Sequence, residues 1–260
     1  MVSLDRKCIV SSGSTTLELG HGSVSRLIDR LSKELDYTEL MQELVRSPSA
    51  KVRKAIASRH NLTKELVDML ADETEEEVLV QLVIANSGQQ YLTGAQLNRI
   101  VSTSAKLALL VARQIARFEN VDKAAFYTLF AAHPAPEVRT AVSRNHDLPK
   151  ELVHLLAGDA EHEVLVQLVN TDSGREYLTD EQLKRIISIS AELAARVAAK
   201  LPDFENINKI SFYTLLAEHE APEVRLAVCW HSDLPKAILH KLCQDTDPEV
   251  ALRANKNRGK

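Results

Sequence analysis

With 260 residues, 45% of them hydrophobic, the chain can bury a large apolar area, and length alone suggests one or two domains. Aromatic residues make up only 4%, and Gly and Pro number 8 each, which is sparse for a turn-dense β protein and ordinary for stacked helices. A formal net charge of -4 argues against a general nucleic-acid coat protein, although a local basic stripe is compatible with an acidic total.

Residues 1–22 are rich in Ser, Thr and Gly and show no helical period. They read as a flexible leader, with at most one short extended piece over Lys7–Val10, and they lack the apolar core of a signal peptide. No later window approaches the roughly 18 apolar residues of a membrane-spanning helix, so a cytoplasmic protein with no membrane partner is expected. From Ser23 the pattern turns helical: Val24, Leu27, Ile28 and Leu31 fall at i, i+3, i+4 and i+7, and Leu40, Leu44 and Val45 continue it after a break at Asp36.

The next stretch, Ser49–Ala71 (SAKVRKAIASRHNLTKELVDMLA), returns twice, at Ala135–Gly158 and at Ala221–Cys243. Val52, Val138 and Val224 mark a period of 86 residues. Each period holds three smaller units, each expected to be a pair of helices. In the first pair of the central copy, Val138, Ala141 and Val142 form one stripe, and Leu152, Leu155 and Leu156 another. Asp147 before Pro149 is a helix-start signal, because Pro has no N–H to lose in the first turn. Asn61 with Thr63 and Asp233 with Pro235 repeat it.

The second pair opens on EVLVQLV, at Glu77–Val83 and Glu163–Val169, and breaks at the turn residues Ser87-Gly88 or Ser173-Gly174. It resumes with a T-x-x-Q capping box, Thr93 with Gln96 or Thr179 with Gln182, ahead of a Leu183, Ile186, Ile187 stripe. The third pair runs through Leu107, Leu110 and Val111, turns at FEN (Phe118–Asn120 or Phe204–Asn206), and ends in FYTL (Phe126–Leu129 or Phe212–Leu215). The elementary unit is thus a helical hairpin of nearly thirty residues. Val164, equivalent to Val138, is expected to be buried between hairpins. After the third long copy one more helix starts at Asp247-Pro248-Glu249, before a polar tail at 256–260.

The string APEVRTAVSRNHDLPKELVHLLAGDAEHEV closely resembles the leucine-rich repeat variant and, more loosely, HEAT-like repeats. The resemblance is strong for the units that begin at Val52, Val138 and Val224 and weaker for the EVLVQLV and FYTL units. It implies an all-α fold, a right-handed α-solenoid or superhelix of about eight helical hairpins over residues 23–255, with a concave binding surface and no reaction. Some variant-family members carry a cysteine cluster for an iron–sulfur centre ahead of the repeats; only Cys8 stands there, so no cofactor is carried over. HEAT-like arrays also show an Arg in every unit, whereas Arg53, Arg139 and Arg225 recur only once per 86 residues.

No catalytic signature is present: there is no G-x-S-x-G, P-loop, G-x-G-x-x-G or H-E-x-x-H. Cys8, Cys229 and Cys243 lack C-x-x-C spacing, which signals neither zinc nor a disulfide framework and fits a reducing compartment. Among the histidines only His154 and His162 are close enough in sequence to share a metal, and a third ligand is missing. The others, including His133 and His219, read as surface or capping residues. Cys243 reads as a small core hydrophobe in the place of Ala71 and Ala157. Trp230, the one tryptophan, replaces Ser58 and Arg144 of the other copies and reads either as a partner anchor or as a lid on the last hairpin.

The second helices of HEAT-like hairpins line the concave face. On them lie Lys64, Lys150 and Lys236; Arg99, Lys184 and Arg185; and Lys123 and Lys209. Such a stripe could follow a phosphate backbone, as the concave face of HEAT-like alkyl-purine DNA glycosylases does. Against that, Lys64 and Lys150 precede Glu65 and Glu151, and interleaved stacking aromatics are missing. The expected function is a non-catalytic protein-binding scaffold, with another protein as partner and nucleic acid as the alternative. The candidate binding residues are Lys64, Arg99, Lys150, His154, Lys184, Arg185, Lys209, Lys236 and Trp230.

Overall fold

The computed structural model describes residues 7–12, 15–20, 38–232 and 234–258. The first helical stripe expected, Val24 to Leu31, and the Asp233 helix signal lie outside them. Two strands, β1 (Lys7–Ser12) and β2 (Thr15–Gly20), pair antiparallel with Lys7 opposite Gly20 and Ser12 opposite Thr15. The leader therefore contains a hairpin rather than one extended piece. Every described element from Thr38 onward is helical, and no helix is long and apolar enough to cross a membrane.

The chain divides into two compact units, residues 1–126 and 127–260. The first holds β1, β2 and α1 (Thr38–Val45), α2 (Ala50–Ala57), α3 (Lys64–Ala71), α4 (Glu76–Ile84), α5 (Asn86–Tyr91), α6 (Gly94–Thr103) and α7 (Ala105–Ala112). A 3-10 turn at Ile115–Arg117 follows, and the division falls inside α8 (Lys123–Ala131). The second unit continues with α9 (Pro136–Ser143), α10 (Lys150–Leu156), α11 (His162–Asn170), α12 (Asp172–Tyr177), α13 (Asp180–Ile187) and α14 (Ala191–Lys200). After a second 3-10 turn at Leu201–Asp203 come α15 (Lys209–Ala217), α16 (Pro222–Val228), α17 (Lys236–Leu242) and α18 (Pro248–Arg258). The polar residues Asn255–Arg258 are thus the last turn of α18.

The period is visible element by element: α2 to α8 recur as α9 to α15, and α16 to α18 begin the series again. In the second unit α9, α11, α14, α16 and α18 pack each on the next, forming one layer, while α10 packs on α12 and α15 on α17 in a second. In the first unit α2, α4 and α7 pack in the same succession. The apolar stripes supply this packing: Val138, Val142, Val164, Leu168, Leu193, Val197, Val224 and Val250 are buried. Ala194 and Ala198 on α14 are buried too, and their small side chains let α16 approach closely.

Local chemistry sets the helix ends. Both expected capping boxes form: Thr93 and Thr179 accept from the backbone of Gln96 and Gln182, whose side chains accept in return at 2.9 and 3.2 Å. The acid at 147 is not the cap of α10. Leu152 N–H donates to Pro149 carbonyl at 3.0 Å, so Pro149 itself occupies the cap position, as Pro235 does for α17.

The Ser-Gly steps read as turns are short helices, α5 and α12, and both residues are used. Ser87 and Ser173 are buried, and their hydroxyls accept from the backbone of Leu62 at 2.9 Å and Leu148 at 2.8 Å, tying the short helix to the start of α3 or α10. Gly88 and Gly174 bring their backbone against the carbonyls of Leu82 and Leu168, leaving no space for a Cβ. The FEN turn then docks on the short helix: Phe118 and Phe204 are buried, and Asn120 and Asn206 donate to the carbonyls of Gln90 and Glu176.

The once-per-period arginine is a staple. Arg139 donates to both oxygens of Asp159, at 2.6 and 2.9 Å, and to the carbonyls of His133 and Pro134, both at 2.9 Å. Arg225 repeats this with Asp245 at 2.8 Å, and Arg53 with Glu73. The carboxylates also accept from the residue two positions on, Glu161 N–H at 2.9 Å and Asp247 N–H at 2.9 Å, so one fork joins three loop segments.

The Arg225 guanidinium holds the Asp245 carboxyl below its ordinary value, against the opposing effect of burial. Because the folded value lies below the unfolded one, the stabilisation is complete above the ordinary carboxylate pKa of about 4 and is lost as pH falls through the depressed value. Asp245→Asn should therefore lower the urea midpoint at neutral pH. The gap to wild type should close on acidification below about pH 4, measured as paired unfolding curves across pH.

Candidate functional site

Four helices of the second unit, α10, α13, α15 and α17, share a local pattern. On α10 the buried Leu152 and Val153 are followed by His154 and Leu155, then by buried Leu156 and Ala157. On α15 Phe212 and Tyr213 precede Thr214 and Leu215, then Leu216 and Ala217. On α13 Lys184 and Arg185 stand between Leu183 and Ile186, and on α17 His240 and Lys241 precede Leu242. The outward positions thus hold a leucine on α10 and α15 and a cation on α13 and α17.

Leu155 corrects the expected stripe, since it is 50% exposed while Val153 is buried. At about 100° per residue, Leu152, Val153 and Leu156 share one arc of α10 and Leu155 falls outside it. Leu215 is likewise 43% exposed and Leu129 on α8 42%. These leucines contribute little to the core and stand at the surface.

Several expected binding cations are committed to the protein's own backbone. Arg99 donates to the Ala71 carbonyl at 2.5 Å and pairs with Asp72. Arg185 donates to the carbonyls of Ala157, Gly158 and Asp159 at 2.6, 3.2 and 2.8 Å. Both arginines cap the C-terminal end of the preceding hairpin's second helix, where carbonyls lack intrahelical partners. Lys123 and Lys209 do the same for the 3-10 turns, donating to Ala116 and Pro202 carbonyls at 2.8 and 2.6 Å. Lys64 pairs with Asp68 at 2.7 Å, and the hydrogen bond that it donates to the Asp68 carboxylate raises the lysine pKa. Lys150, Lys184 and Lys236 are exposed and make no described hydrogen bond or ion pair.

The histidines also have partners within the chain. His154 Nδ1 lies 3.0 Å from Gln182 Oε1, the oxygen that also accepts from Thr179 N–H in the capping box, so Nδ1 carries the proton. His162 Nε2 lies 3.2 Å from Ser190 Oγ and 3.6 Å from Glu192 Oε2. His133 and His219 accept from the backbone N–H of Ala135 and Ala221, both at 3.1 Å. Among the described residues no group of three or more His, Cys, Asp and Glu could hold a metal ion.

The terminal copy carries the remaining features. Trp230 is 63% exposed, and the Arg253 guanidinium lies 3.6 Å from its ring centroid. Cys229 beneath it is buried, and burial pushes its thiol up to about 11, so it stays neutral. Cys243 is a free, half-buried thiol. Arg253 was not singled out from the sequence, because nothing in the chain between marks it as the partner of Trp230.

No protein-family profile and no curated protein matches the chain. Among solved structures, a crystal structure of an engineered protein is similar over 86% of this chain and 97% of its own, at 11% identity and a TM-score of 0.19. A score that low carries no argument about fold or function.

Proposed function

We propose that the protein is a non-catalytic scaffold or adaptor, a right-handed α-solenoid of the kind the leucine-rich repeat variant and HEAT-like repeats form, which binds another protein in the cytoplasm. The observation that supports this reading is the exposure of Leu155 and Leu215 at the same place in two second-layer helices, with Arg185 and Lys241 at that place on the helices α13 and α17. Fully burying a leucine is worth about 1.5–3 kcal/mol, and the array leaves that gain unused at these positions. A protein surface with apolar side chains would recover it; Arg185 and Lys241, already engaged by carbonyls and by Glu218, frame the leucines rather than call for acids.

A phosphate backbone is served less well. Arg99, Arg185 and Lys209 are spent on carbonyls, and Lys150 and Lys184 stand among the carboxylates Glu151 and Glu181. Pull-down with the full chain should return a defined protein. The double variant Leu155→Glu, Leu215→Glu should lose it with an unchanged melting temperature, and undiminished capture by that variant would refute the surface. Duplex DNA titrated at low salt separates the alternative, since affinity that falls steeply with salt is the mark of phosphate binding.

A further inference from the structure

The geometry points to a second site on the last copy: Trp230 and Arg253 form a carboxylate-binding platform, fitted to an acidic peptide segment that carries an apolar side chain. It rests on the protein-binding reading above but uses none of the leucines named there.

The central copy shows what this contact is elsewhere. There Arg144 follows α9 and donates to Glu163 Oε1 at 3.5 Å, while Gln167 on α11 donates to the same oxygen at 2.6 Å. One period later the three residues are Trp230, Arg253 and Glu249. Both neighbours of the glutamate have changed. Arg253 stacks on Trp230, although Glu249 is only one turn away on α18, and the Glu249 carboxylate has no partner among the described residues.

The pair is held in place. Asn257 on α18 donates to the carbonyls of Cys229 and His231, on either side of Trp230, and Trp230 N–H donates to Ala227 carbonyl at 3.3 Å. The cation–π contact fixes the plane of the guanidinium. Its Nε is buried without an acceptor, and its terminal nitrogens donate to no described residue. A carboxylate can therefore meet the two terminal N–H groups end-on and accept two parallel hydrogen bonds, while the buried Nε lies out of its reach. Next to it Leu252 is 57% exposed, where the equivalent Val166 is only 4% exposed, so an apolar contact lies beside the charge.

These surroundings favour peptide over nucleic acid. The unpaired Glu249 would face a run of phosphates, and Arg253 already covers one face of the indole on which a base would stack. A single carboxylate flanked by a leucine-like side chain meets neither obstacle. Lys256, three residues on along the same face of α18, is exposed and adds a second positive charge.

Trp230 is the one tryptophan, so its emission reports on the platform directly. The full chain is titrated with a short synthetic peptide of alternating glutamate and leucine pairs, with the same peptide in glutamine form, and with oligothymidylate. The acidic peptide should shift Trp230 emission saturably, and Arg253→Gln should weaken it by about tenfold or more at unchanged melting temperature. Arg253→Lys, which keeps the charge and loses the fork, should be weakened as well. Equal binding by the glutamine peptide or by Arg253→Gln, no shift at millimolar peptide, or tighter binding of oligothymidylate would each overturn the proposal. The Leu155→Glu, Leu215→Glu variant should give the wild-type titration. Its loss of partner capture with an intact titration, or the reverse, tells the two surfaces apart.

Discussion

Gly174→Ala should destabilise the protein by about 3 kcal/mol or more, a fall of at least about 6 °C in melting temperature for a chain of this size. A Cβ built on Gly174 meets the Leu168 carbonyl oxygen at 1.9 Å and its carbon at 2.9 Å. Both atoms are backbone at the end of α11 and cannot rotate away. At 3.1 Å the same Cβ also crowds Thr171 Oγ1, the side chain that caps α12 by accepting from Gly174 N–H. Relief therefore requires α12 to move off α11, and Ser173, whose hydroxyl accepts from Leu148 N–H, would move with it.

Gly94 is the internal control. Nothing lies within 4 Å of its Cβ position at the start of α6, and Asp180 stands at the equivalent place one period later. Gly94→Ala should leave stability unchanged or raise it by about 0.4–1 kcal/mol, because alanine has less unfolded-state freedom to lose. Thermal and urea unfolding of the two variants side by side decides the matter. Equal midpoints would show that the short helices are not wedged against the preceding carbonyls. Because Ser173 anchors the start of α10, which carries Leu155, Gly174→Ala should also weaken partner capture, whereas Gly94→Ala should not.

What could be read in the chain follows how local the cause is. The T-x-x-Q boxes depend on four consecutive residues, so their hydrogen bonds were legible at Thr93 and Thr179. The 86-residue period was legible because identical contexts recur, and helices α9 and α16 start where that recurrence says. The Arg139 staple was half legible: the arginine stood out, but its partner Asp159 lies past the next helix. The roles of Arg99, Arg185 and Lys209 were hidden, because their acceptors are main-chain carbonyls and every residue has one. Leu155 was misassigned since a seven-residue helix is too short for its apolar pattern to choose between two phases, and the neighbouring helices make that choice.

Val164→Asp tests that phase where it matters most, and should cost about 4 kcal/mol. Val164 is fully buried on α11, which packs against α9, α10, α12 and α14. Val164→Ala removes the same apolar volume without adding charge and should cost about 2 kcal/mol at any pH. The extra loss in the aspartate variant is the cost of dehydrating a carboxylate, which raises its folded-state pKa above the unfolded value near 4. That loss should therefore be absent below about pH 4 and grow as pH rises toward the raised value, so the two variants' unfolding midpoints converge in acid and separate at neutrality. Parallel midpoints across pH would mean that the carboxylate reaches water and that α11 presents another face to the core. Val78 and Val250 occupy the same place in the flanking copies and are equally buried, so the same pair of substitutions should reproduce the divergence at each of them if one packing rule serves all three copies.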